Sequence, residues 1–198
     1  MRKPLYTIGH STHPWPEFVR ILDANAVTLL IDVRSHPGSG KHPQFNRESM
    51  ETELGARYRF MGDVLGGPTA GPYGGRKFPK HHIGRQRTAT DLAAATAGGK
   101  PTWTNVGLYD YGVWMGSAEF ADGLKALEAV VDATEGRCAI MCAEVLWWKC
   151  HRSMIADAWE AFGGEAFHIW PQRAPSRHVI GNRLERYEAE TQQLWRQR

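Results

Sequence analysis

"AVTLLIDVR", residues 26–34, is the stretch that decides the fold. Apolar side chains fill nearly every position up to Ile31, whereas a strand with one wet face would alternate with period two. Both faces of this strand must therefore be covered, as in a parallel sheet clad by helices. The run ends at Asp32 and Arg34 and passes into the loop "SHPGSGKHPQF". Upstream, "PLYTIGHS" (4–11) reads as a short strand that breaks at Gly9. "HPWPEFVRILDAN" (13–25) reads as a helix, with Pro14 and Pro16 suited to its first turn and Phe18, Ile21 and Leu22 on one face.

Downstream, "NRESMETELGARY" (46–58) is expected to be helical, with Asn46 as N-cap and Met50 and Leu54 on one face. "RYRF" (57–60) is a short strand followed by a glycine-rich turn. "SAEFADGLKALEAVVDAT" (117–134) is an amphipathic helix and "RCAIMCAE" (137–144) a second buried strand. A helix over 150–163, a strand over 165–170 and a charged helix over 182–198 complete the chain. Alternating strands and helices predict an α/β fold: a mostly parallel sheet with helices on both faces, as a single domain over residues 1–198. A long irregular insertion lies around 66–110, and a loop of that length in a compact domain calls for a functional explanation.

With 42% apolar and 23% charged residues in 198, the chain can bury a core and is not globally disordered. Three cysteines are too few for a disulfide framework, so free thiols in a reducing cytoplasm are expected. "MRKPLYTIGHS" turns polar before a signal-peptide core could form, and no segment approaches the roughly 20 apolar residues that span a bilayer. A net charge of +3 is mildly basic and does not by itself indicate nucleic acid. The expected partner is an anionic small molecule or nucleic acid rather than a membrane, and oligomeric state stays open.

Ligands of such sheets bind beyond the carboxyl ends of the strands, so the polar residues that end apolar runs are the informative ones. Those are Thr7, His10 and Ser11 on the first strand, Asp32 and Arg34 on the second, and Cys142 and Glu144 on the third. Cys150, His151 and Arg152 open the helix that follows. These sets are expected to meet at one rim. Arginine forks and glycine–serine loops such as that holding Ser39 attract anions. The alternative is that each arginine pairs internally, with Asp32 or Glu144.

"TIGHS", "DVRSHPGS", "LGG", "CAE" and "CHR", occurring in this order over roughly residues 4–170, resemble the family grouped as domain of unknown function 488. The resemblance implies a small cytosolic bacterial or archaeal α/β protein and brings no agreed reaction. Its motif positions here are Thr7, Gly9, His10, Ser11, Asp32, Arg34, Pro37, Ser39, Cys142, Glu144, Cys150, His151 and Arg152. Residues 70–110 are longer and more basic than the middle of a short family member.

The leading expectation is an enzyme acting on a nucleotide or nucleic-acid base. Glu144 and His10 would share acid–base work and Cys150 would be an optional nucleophile. Thr7, Ser11, Asp32, Arg34, Ser39, His151, Arg152 and Trp147 would line the substrate pocket. One alternative is a non-catalytic nucleic-acid-binding module built on Arg76, Lys77, Lys80, Arg85 and Arg87, with aromatic rings between them. Another is thiol redox chemistry through Cys142 and Cys150. No cofactor and no metal are expected, because the Cys and His spacing matches no common zinc pattern. Cys138, in mid-strand, reads as core.

Overall fold

In the computed structural model, residues 2–67, 108, 111–112 and 114–179 are described. Five parallel strands and one antiparallel edge strand form a sheet in the order β3-β2-β4-β1-β5-β6. The strands are β1 (Leu5–Gly9), β2 (Val27–Asp32), β3 (Tyr58–Phe60), β4 (Arg137–Cys142), β5 (Ala166–Trp170) and β6 (Arg173–Arg177). The helices are α1 (Trp15–Ala24), α2 (Arg47–Leu54), the single turn α3 (Gly62–Leu65), α4 (Ala118–Ala133) and α5 (Arg152–Ala161). No helix among the described residues is long and apolar enough to cross a membrane.

The doubly buried strand sorts its side chains by parity. Leu29, Ile31 and Val33 join Leu5, Cys138 and Ile140 against Leu124 and Leu127 of α4 and Ile155 and Trp159 of α5. Leu30, Ile8, Ala139 and Met141 face the other way, onto Phe18, Ile21 and Leu22 of α1 and Met50 and Leu54 of α2. The expected helices on both faces are present.

Local signals account for some element ends. Ser117 accepts a hydrogen bond from the Phe120 amide and caps α4. Asn46 does not cap α2 through its side chain; its Oδ1 accepts from the Ser39 amide at 2.6 Å and ties the preceding loop down. The helix expected from Cys150 begins at Arg152, because a 3-10 turn over Trp147–Lys149 intervenes. β6 was not anticipated from sequence. The helix expected over 182–198 and most of the 66–110 insertion lie outside the described residues.

Neighbouring strands β1 and β4 send their following helices to opposite faces, β1 to α1 and β4 to α5. Such a switch in direction opens a crevice at the strand carboxyl ends. Gly9 and Cys142 are register partners at that point.

Candidate functional site

Alternation along β1 and β2 sends the predicted site residues to two sides of the sheet. On the α1–α2 side, Asp32 is fully buried and is held by Arg34 through two side-chain bonds, Nε to Oδ1 at 2.9 Å and Nη2 to Oδ2 at 2.7 Å. The Arg34 amide and the Tyr58 hydroxyl add bonds of 3.0 and 2.8 Å to the same carboxylate. Burial first, then the Asp32 charge and this hydrogen bond, push the Tyr58 phenol far above its ordinary pKa. Arg34 also donates to the Phe45 carbonyl at 2.8 Å, and its Nη1 lies 2.9 Å from His10 Nε2.

His10 is therefore a defined tautomer. A guanidinium only donates, so Nε2 accepts from Arg34 and the proton sits on Nδ1, which donates to the Ser11 carbonyl at 2.8 Å. Its ring stacks on Phe45 at 4.1 Å. Burial, followed by the Arg34 charge, lowers its pKa to about 4. Both nitrogens are engaged in structural bonds, and Arg34 has taken the internal pairing with Asp32.

Several loop amides are likewise occupied. His10 and Ser11 donate to the Cys142 and Ala143 carbonyls, each at 2.9 Å, with Ser11 at φ 49°. Ser39 Oγ accepts from the His42 amide at 3.1 Å. The Glu144 side chain is exposed; among the described residues its carbonyl is what is bonded, as an acceptor from Arg152. Gly9 is required here, since a Cβ would stand 1.9 Å from that carbonyl oxygen.

The α4–α5 side gathers Thr7, Cys142, Cys150, His151 and Arg152. Cys142 ends β4, Cys150 follows the 3-10 turn, and His151 precedes α5. His151 Nε2 lies 3.0 Å from the Val33 carbonyl, which can only accept, so Nε2 bears a hydrogen. Nδ1 then faces both sulfurs, 3.9 Å from Cys142 Sγ and 3.8 Å from Cys150 Sγ. Burial raises the Cys150 pKa, but the Cys142 thiol and the charge and N–H groups of Arg152 outweigh it and bring it to about 7. Cys142 is raised instead, first by its hydrogen bond to Cys150, then by burial and by the charge on Cys150. Burial works to lower His151, yet Cys142 and the Val33 bond leave it raised. The three ligand atoms lie within 4.8 Å of one another and could hold a thiophilic metal ion.

Behind the thiols runs a buried chain that sequence reading largely missed. Asp157 accepts from His178 Nε2 at 2.8 Å, so His178 Nδ1 accepts from His168 Nε2 at 2.9 Å. His168 Nδ1 accepts from the Thr7 hydroxyl at 2.8 Å, and Thr7 Oγ1 receives Arg152 Nη1 at 3.4 Å. With both imidazoles neutral, the acceptor-only carboxylate at one end and the donor-only guanidinium at the other fix every proton's direction. Burial first, then repulsion between the two imidazoles if both take protons, and the Arg152 charge hold His168 far below its ordinary pKa. Trp147 lies flat on His168, with centroids 4.1 Å apart and planes at 6°. His168 could have been found as the one polar residue inside the apolar strand "AFHIW"; nothing in the sequence around His178 marks it.

A cavity of about 460 Å³ lies elsewhere, lined by Thr28, Ala56, Arg59, Val130 and Glu135, and holds none of the predicted site residues. Arg76, Lys77, Lys80, Arg85 and Arg87 lie outside the described residues. The model of one protein family, described as domain of unknown function DUF488, matches residues 14–159. No curated protein and no solved structure matches the chain.

Proposed function

We propose, for a chain that belongs to the DUF488 family, that Cys142 and Cys150 form a redox-active dithiol oxidised by small hydroperoxides. The carrying observation is that both sulfurs lie under 4 Å from one imidazole nitrogen, with Cys150 also beside Arg152. A thiolate is the nucleophile in such chemistry, and cationic donors beside a thiol favour that form. Cys150 and Cys142 are only 3% and 8% exposed, which suits a small oxidant better than a protein disulfide.

In the first step the Cys150 thiolate attacks one peroxide oxygen. The O–O bond breaks, the departing hydroxide, or alkoxide from an organic hydroperoxide, takes a proton and leaves as water or alcohol, and Cys150 becomes a sulfenic acid. In the second, Cys142 sulfur displaces the hydroxyl from Cys150, the S–S bond forms, and the Cys142 proton leaves with the hydroxyl as a second water. Two electrons pass from the dithiol to the peroxide. A reducing cytoplasm would return the pair to its starting state.

This reading is preferred to the nucleotide-directed enzyme because the donors of Arg34 and the Nη2 of Arg152 are committed to protein acceptors. Mass spectrometry of the reduced protein after mild hydrogen peroxide tests it. A Cys142–Cys150 disulfide is expected in the native chain, and a trapped Cys150 sulfenic acid in Cys142→Ser. Recovery of both thiols unmodified would remove the proposal.

A further inference from the structure

We propose that Cys142, Cys150 and His151 also form a zinc site, with the ion as a reversible cap on the dithiol; the capping role rests on the reading above, while the site itself stands on geometry. Zinc takes thiolate sulfur at about 2.3 Å and imidazole nitrogen at about 2.0–2.1 Å, so sulfur and nitrogen on a tetrahedral ion stand about 3.6 Å apart. The two S–N separations here, 3.9 and 3.8 Å, need only a small contraction. Three protein ligands leave a fourth position for water or a small ligand.

The imidazole is oriented for that role. Metal-bound histidines commonly donate their other ring N–H to a carbonyl, which fixes the tautomer and the ring plane. Here the Val33 carbonyl receives Nε2 and directs Nδ1 to the sulfurs. The Tyr111 ring stands 5.0 Å from the imidazole, tilted at 38°. The ligands come from two backbone segments: Cys142 from the end of β4, and the adjacent Cys150 and His151 from the link between the 3-10 turn and α5. Cysteine and histidine together select borderline and soft ions over magnesium or calcium.

On binding, the ion replaces the protons of both thiols and any proton on Nδ1, and these leave to solvent; no electrons move. Two thiolates offset its charge, so the loaded site adds no net charge beside Arg152. Thiolates engaged with zinc are no longer free to attack peroxide.

Titrating the reduced, metal-free protein with Zn(II) against a chromogenic chelator, and separately with Co(II) followed by absorption, tests the site. One equivalent of either ion is expected, with thiolate-to-cobalt charge transfer in the Co(II) form. Cys150→Ala and His151→Gln should each weaken binding by at least about 100-fold, beyond the roughly 10–100-fold cost of losing an outer partner. Cys138→Ala, in mid-strand, should leave it unchanged. No charge transfer in the native chain would overturn the assignment whatever the variants' folding or the peroxide result, and so would unaltered affinity in Cys150→Ala. A disulfide formed by peroxide with no zinc uptake sinks this inference alone. Zinc uptake with thiols inert to peroxide sinks only the redox reading.

Discussion

His10 is held neutral by its position. An unfolded histidine takes a proton below a pH of about 6.5, whereas here burial and then Arg34 delay that to about 4. Between those values the unfolded chain binds more protons than the folded one, so stability falls as the pH is lowered through this window. Above it the contribution is fully present. The shift corresponds to an upper value on the order of 3 kcal/mol. His168, lowered in the same direction, extends the loss to more acid conditions. Urea unfolding at a series of pH values should show this slope between about pH 6.5 and pH 4. His10→Gln should make it shallower over that range, leaving the part that His168 contributes. An identical slope in the variant would show that His10 is not the group responsible.

At the scale of elements, the polar chain from Thr7 to Asp157 joins β1, β5 and α5 to the segment just after β6. β6, "RAPSR", is an edge strand with a proline and no apolar alternation, which is why its sequence reads as loop. It is recognisable only through its partners: Phe167 opposite Arg177, and the His178 amide bonded to the Ala166 carbonyl at 2.8 Å. Removing the middle of the chain with His178→Ala strips a partner from both the His168 N–H and the Asp157 carboxylate, each buried. A stability loss of about 3 kcal/mol or more is expected, since unsatisfied buried groups cost about 1–3 kcal/mol each and charged ones more. Amide exchange should accelerate in β5 and β6 well before β2. A loss below about 1 kcal/mol would mean that solvent reaches these groups.

For the whole molecule, the legible part was what period and punctuation encode. The apolar run at 26–34 announced a parallel sheet covered on both faces, and the strand-end rule located the polar residues. The partition of those residues between the two faces of the sheet was not legible. It follows from parity: Thr7 and His10 are an odd number of residues apart on one strand end, as are Asp32 and Val33, so the sheet stands between their surroundings. Arg34 was read first as an anion ligand, with pairing to Asp32 as the alternative; the fold takes that alternative and adds the Phe45 carbonyl and the His10 imidazole, which the sequence does not place beside it. The partition has a thermodynamic consequence. Arg34→Met and His178→Ala act on opposite faces and share no hydrogen-bond partner, so their effects on unfolding free energy should add within about 0.5 kcal/mol. His178→Ala combined with Thr7→Val should not add, because both cut the same relay and the second cut removes what the first has already disturbed. Urea denaturation of the single and double variants measures both cycles. Coupling above about 1 kcal/mol in the first cycle, or none in the second, would mean that the two polar clusters are not separate units.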